Sequence, residues 1–325
     1  MYKLVKKMSV VLILVLVTVL VSGCNSSSDK ASDSAQSKGG DVGFTGKQIG
    51  LSFEGEIGFF VDLANTFVET AGSDNSVTVY YSEDDVTKQV SDFENMIAMS
   101  FDLIFVSPIE PASMVGCYQQ AEAAGIPVVV VTHTTESPEL IKGCIYYDNY
   151  ELGRLAAEIL AEAMDYSGSM VIYTVTTSQD ILDRSRAAED VMASYGITVA
   201  GTGYGIPISV ESYPAYEALL SSNPEITGMW GYSPPCAPAA AAVCEAAGRD
   251  DIQIVTIALD DEVSQLIREG KIYGSAGQTG ADFVPDMIAA AKKIFDGTWG
   301  ENGQIIVLEP YKVTKDNVEQ YWSFN

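Results

Sequence analysis

The sequence predicts an α/β protein built of two doubly wound parallel-sheet lobes. Three observations predict it. Strand-like runs rich in β-branched and aromatic residues alternate with helical patterns along the body of the chain. The run Val128–Val131 is continuously apolar, as a central strand covered on both faces must be. After the polar segment that ends at Gly46 come about 280 residues, enough for two cores of ordinary domain size.

At the N-terminus, Lys3, Lys6 and Lys7 precede an uncharged run over residues 8–21 that exits through small residues to Cys24. As a helix, that run rises only about 21 Å, short of the ~30 Å hydrocarbon core, so residues 1–23 read as an export signal and not as a membrane span. The tetrapeptide Val21-Ser22-Gly23-Cys24 resembles a bacterial lipobox, which implies lipidation of Cys24 and cleavage just before it. The other reading is an ordinary secreted chain with a stray cysteine. Residues 24–46 are too poor in apolar side chains to offset their ordering entropy. They form a tether, spanning roughly 25 Å as a flexible coil.

Charge bounds the partners. The full chain carries 44 acidic against 18 basic side chains, a formal net charge of −26. Loss of the three signal lysines makes it more negative still, which argues against nucleic acid or anionic lipid as a ligand. Once Cys24 is set aside, Cys117, Cys144, Cys236 and Cys244 form no CxxC pair. Buried free thiols are expected of them, with no metal and no cofactor.

Strands are expected at 49–53, 77–83, 102–108, 127–132, 144–148, 169–176, 197–203, 226–232, 253–259 and 273–278. Between them the period changes to 3.6. Phe60, Leu63, Ala64, Phe67, Val68 and Ala71 make one apolar stripe, Val86, Val90, Phe93 and Ile97 a second, and Leu155, Ile159, Leu160 and Met164 a third. Gly72, Gly125, Gly196, Gly248 and Gly270 stand where helices close. In such sheets the ligand crevice lies beyond the carboxyl ends of the strands. That draws attention to residues 54–60, Ser107, Thr132, His133, residues 177–186, residues 232–236 and Asp260.

The order of motifs from about Lys47 to Val313 resembles the type I periplasmic sugar-binding protein family. The segments that carry the resemblance are Ile49-Gly-Leu-Ser-Phe with Gly58-Phe59-Phe60, Ser107-Pro108 with Ala121-Glu-Ala-Ala-Gly-Ile-Pro127-Val, and Tyr147-Asp148-Asn149 before Leu152-Gly153. Arg184 and Arg186, Glu269-Gly-Lys-Ile and Gln278 complete the series. The resemblance implies a three-crossing hinge near Asp148, Gln278 and Glu309. It divides the body into an N-terminal lobe of 47–148 plus 279–308 and a C-terminal lobe of 149–278 plus 309–325. It also implies a monomeric solute-binding lipoprotein, held outside the cytoplasm by its lipid, that closes on a small sugar-like ligand. An ABC permease and its ATPase would then receive the ligand. The alternative on the same architecture is a sensor that signals to a membrane receptor.

Sugar binding asks for flat aromatics against C–H faces and fixed donors and acceptors around the hydroxyl rim. The candidate ligand contacts are Glu54, Phe59, Phe60, Thr132, His133, Arg186, Trp230, Tyr232, Ser233, Asp260 and Gln278. For Phe60 and Trp230, core packing competes with a place in the cleft. On one helix Arg184 and Arg186 point about 200° apart, so only one faces inward; Arg186 is the expected one, with surface pairing to Asp183, Glu189 or Asp190 as its alternative. The family's polar grips are altered at Thr132-His133, at Ser233-Pro234-Pro235 and at Ala258-Leu259-Asp260. Gly201-Thr-Gly203-Tyr-Gly205 runs into Ile206-Pro207 with no helix behind it, so it is no dinucleotide turn. With no GxxxxGK[ST], HExxH or GxSxG pattern, the chain reads as a binding protein and not an enzyme.

Overall fold

A computed structural model of the chain describes residues 42–176, 178–206 and 209–321. The expected export signal, Cys24 with its expected lipidation, most of the expected tether and Thr177 lie outside these residues. All ten expected strands are present: β1 Gln48–Phe53, β2 Ser76–Tyr81, β3 Leu103–Val106, β4 Val128–Val131, β5 Gly143–Tyr147, β6 Ser169–Thr174, β7 Thr198–Tyr204, β8 Gly228–Gly231, β9 Gln253–Ile257 and β10 Gly274–Gly277. Two further strands, β11 Gln304–Leu308 and β12 Tyr311–Thr314, follow near the C-terminus. The helices that position the cleft are α1 Gly58–Ala71, α2 Val86–Ala98, α3 Val115–Ala124, α4 Asn149–Ala163, α5 Gln179–Tyr195, α6 Ser209–Ser222, α7 Cys236–Ala247, α8 Asp261–Glu269 and α9 Val284–Phe295.

The strands form two six-stranded sheets, ordered β11-β5-β4-β3-β1-β2 and β12-β10-β9-β8-β6-β7. Replacing β1 to β5 by β6 to β10, and β11 by β12, turns one order into the other, so the two halves repeat one topology. Every pairing is parallel except that of β12, which runs antiparallel along β10 with Gly277 opposite Tyr311. Valines fill β4 because its neighbours β3 and β5 flank it and helices cover both faces, and all four are buried.

The chain leaves the first sheet after β5, returns to it after β10, and crosses again between β11 and β12. One carboxylate ties these three crossings together. Asp282 Oδ2 accepts from the Tyr147 hydroxyl at 3.2 Å, the Tyr311 hydroxyl at 2.8 Å and the Thr279 backbone N–H at 2.6 Å. Gly280 lets α1 approach the same place, since a Cβ there would lie 2.1 Å from the Phe59 carbonyl oxygen.

One apolar core runs from α1 and α9 through the crossings into the second sheet, and a smaller one lies beneath α2 and α3. The expected tether ends earlier than its polar composition suggested. Phe44 is buried, packing edge-on against Phe295 with ring centroids 5.1 Å apart. Cys117, Cys144, Cys236 and Cys244 are free and buried, and burial pushes the Cys236 thiol up to about 11. No helix among the described residues is long and apolar enough to cross a membrane.

Candidate ligand-binding cleft

Because β1 to β5 run parallel in one sheet and β6 to β10 in the other, their carboxyl ends gather on one side of each, and the two sets approach one another near the crossings. On the first sheet, β1 delivers Glu54, β3 delivers Ser107, and β4 delivers Thr132 and His133. These side chains are joined. Ser107 Oγ donates to Glu54 Oε1 at 2.7 Å and is hydrogen-bonded to Thr132 Oγ1 at 2.5 Å. Gln89, wholly buried on α2, fixes the segment after β3 by donating to the Ser107 carbonyl and accepting from the Ile109 N–H. Thr132 adopts φ 68°, a left-handed conformation costly for a branched residue, where the chain turns out of β4.

His133 then spans the gap. Its Nε2 lies 3.0 Å from Glu54 Oε1 on its own side, and its Nδ1 lies 2.9 Å from Asp180 Oδ2, in the first turn of α5 on the other. Burial opposes a charge on this ring, but the bonds to Asp180 and Glu54 outweigh it and raise the imidazole to about 9. In turn, the imidazole holds the Asp180 carboxyl below its usual range.

On the second sheet the two arginines are placed opposite to expectation. Arg184 faces inward: its Nε donates to Asn149 Oδ1 at 2.7 Å and its Nη1 to the Tyr232 carbonyl at 3.0 Å. Among the described residues no carboxylate lies within ion-pair distance of it, and burial pulls its guanidinium down to about 10. Arg186 points outward with 62% of its side chain exposed, paired with Asp183 at 3.1 Å and resting over the Tyr150 ring. The reason lies in the helix period. Ile181, Ala188 and Met192 form the apolar stripe of α5, and Arg184 lies at i+3 within it. That stripe was a signal in the sequence that separated the two arginines.

The other expected contacts divide between cleft and core. Trp230 is wholly buried inside β8, and its indole N–H meets no partner among the described residues. Phe60 is also core, stacked on Phe53 at 5.0 Å. The causes differ: Trp230 lies in a strand whose sheet is covered by helices on both faces, while Phe60 lies on the apolar stripe by which α1 packs on the first sheet. Phe59 remains partly buried, edge-on to Phe60 and to Phe283 at the crossings. Tyr232 is 2% exposed and its hydroxyl donates to the Gly205 carbonyl, so its contribution to the cleft is its own carbonyl, which holds Arg184.

Ser233 is partly buried at the turn into α7. Asp260 caps α8 by accepting from the Val263 N–H at 2.8 Å, and burial raises its carboxyl. A Cβ on Gly58 would lie 3.7 Å from the Asp260 Cβ, so the two sheet ends come close here as well as at His133. Gln278 is 7% exposed beside a crossing, and its side-chain amide meets no partner among the described residues. The arrangement is a polar cleft with a fixed guanidinium, a free amide and carboxylates, suited to grip hydroxyls from both sides.

Comparison with known proteins adds to this geometry. The profile of the periplasmic binding protein domain family matches residues 49–298. Among curated relatives, the xylitol-binding protein of Mycolicibacterium smegmatis is 23% identical over 278 residues, covering 84% of this chain and 78% of that protein. The ribose import binding protein of Bacillus subtilis is 23% identical over 261 residues, covering 78% and 82%. Two solved structures share the fold. One is an ABC transporter solute-binding protein from Bacillus halodurans with bound myo-inositol, TM-score 0.75 at 22% identity, covering 86% of this chain and 98% of that one. The other is a periplasmic solute-binding protein from Actinobacillus succinogenes with bound D-allose, TM-score 0.76 at 22% identity, covering 85% and 100%.

Proposed function

Because the chain belongs to the periplasmic binding protein domain family, we propose that it captures a small polyhydroxylated ligand between its two lobes and passes it to an ABC importer. The curated relatives include binding proteins for xylitol, D-apiose and ribose, all small and rich in hydroxyls. The observation that carries the reading is Arg184. A buried guanidinium that spends two donors on Asn149 and Tyr232 and makes no ion pair among the described residues has donors left for an acceptor from outside the chain. Sugar or polyol hydroxyls supply one.

In this reading Arg184, Gln278, Asp260, Ser233 and Phe59 touch the ligand. The lobes, 47–148 plus 279–308 and 149–278 plus 309–325, close because only the closed form makes contacts from both sides. The protein is a monomer held at the outer face of the membrane through lipid on Cys24. Cys24→Ala is expected to leave the chain unacylated and its export signal uncleaved, as read by mass spectrometry of the N-terminus, and a mutant that still enters the detergent phase with an acylated N-terminus rejects the anchor.

A thermal-shift screen followed by calorimetry tests the function. The panel is ribose, D-apiose, xylitol, D-allose and myo-inositol, set against amino acids and nucleosides. At least one polyhydroxylated compound is expected to bind at about micromolar Kd, roughly −8 kcal/mol. Binding confined to amino acids or nucleosides overturns the reading.

A further inference from the structure

We propose that His133 is a proton-gated latch between the lobes, clasping Asp180 of the second against Glu54 of the first and thereby setting how readily the empty cleft closes. The inference rests on the closure proposed above, though its test needs no ligand. Three facts carry it. His133 leaves the end of β4 and Asp180 opens α5, so their 2.9 Å contact joins strand ends of different sheets. The chain passes between the sheets after β5, after β10 and between β11 and β12, whereas this pair joins the end of β4 to the start of α5, which no crossing links, so opening about the Asp282 junction separates it. And both ring nitrogens face carboxylate oxygens, at 2.9 and 3.0 Å.

The last fact makes protonation decisive. A neutral imidazole has one N–H and one lone pair, so whichever tautomer it takes sets a lone pair against an anion. Only the imidazolium donates on both sides. Opening removes Asp180 from the ring and leaves Glu54 in place, so the closed form holds the proton more tightly than the open form.

The sign follows directly. The imidazole is raised in the closed form, to about 9, so the latch is fully engaged below the open-form value and is lost as pH rises through the closed-form value. The charged groups around it bear on the same balance. Glu54 faces the ring from the β1–α1 turn and Asp180 from α5. Behind them, Arg184 steadies Asp180, while Asp84, from the β2–α2 turn, is raised by burial and by Glu54. Tyr146 of β5 feels Asp180 from the side.

His133 is the single histidine of the chain, so its imidazole signals in an NMR pH titration need no assignment. The experiment takes the full chain, ligand-free, and records that titration together with the radius of gyration from X-ray scattering, for wild type and for Asp180→Asn. The expected result is a wild-type midpoint well above that of a free imidazole, a clear fall in that midpoint in Asp180→Asn, and a larger radius for the variant at neutral pH. His133→Gln, which cannot be charged, should show the larger radius at every pH. A wild-type midpoint near the ordinary value overturns the latch. So does an unchanged radius in both variants, even where the midpoint moves. A failed ligand screen leaves this result standing, and a failed latch leaves the ligand screen standing.

Discussion

Gly153 on α4 lies so close to Arg184 on α5 that a Cβ added to the glycine would sit 2.1 Å from the arginine's carbonyl oxygen. The contact is backbone against helix, and neither side has a flexible end to move. It lets α5 rest on α4 closely enough for the Arg184 fork to reach Asn149 at the start of α4.

Gly153→Ala is therefore expected to push the two helices apart, costing about 1–3 kcal/mol as overpacking does, and to weaken ligand binding by displacing Arg184. Urea denaturation and calorimetry measure both. A variant as stable as wild type with unchanged affinity contradicts the packing described.

The two arginines give a paired prediction. Loss of a buried charged donor costs about 1.5–3 kcal/mol, so Arg184→Ala should lower affinity roughly ten- to a hundredfold. Arg186→Ala, on an exposed surface pair, should stay within about 1 kcal/mol of wild type. Calorimetry with the tightest compound of the screen decides, and equal small effects reject the assignment.

Trp230 tests the core directly. Trp230→Ala should cost about 3–5 kcal/mol of stability. Trp230→Phe should cost far less, because it also removes a buried indole N–H with no partner among the described residues. Guanidinium unfolding of both variants provides the check, and a Phe variant as damaged as the Ala variant is the contrary outcome.

Ala258 closes β9 as Thr132 closes β4, at the equivalent place in the other half, and the two share a left-handed backbone, φ 66° and 68°. Ala258→Gly relieves that strain and should leave stability unchanged or raise it, by up to about 1 kcal/mol, despite the entropy of glycine. Thr132→Gly forfeits the hydroxyl bond to Ser107 and should not gain. Denaturation midpoints of the two variants separate strain from hydrogen bonding.

The period of the side chains made the strands legible, because each buried run is short, β-branched and bounded by turn residues. The run over residues 304–308 is equally apolar, yet its partner in the sheet is β5, with Gln304 opposite Gly143. Local pattern does not reveal a pairing of that span. In the cleft, the rule that ligands gather beyond strand ends located Glu54, Thr132, His133 and Asp260 at the strand termini where the structure has them. Trp230 is a candidate for its flat ring and not by that rule, and it lies in the core because its strand is covered on both faces. The meeting of His133 with Asp180 depends on how the halves are set about the crossings, and no spacing along the chain encodes that.

Residues 304–314 supply the outermost strand of both sheets at once, β11 beside β5 and β12 beside β10. Neither half owns its own edge. A polypeptide made from its N-terminus onward therefore has every other strand available before either sheet is complete, and one short ribbon near its end finishes both. Cutting the ribbon at Glu309 would leave the first half with its border and rob the second, so the halves cannot be produced as separate modules by dividing the chain anywhere. Both sheets are completed by the same short stretch, residues 304–314.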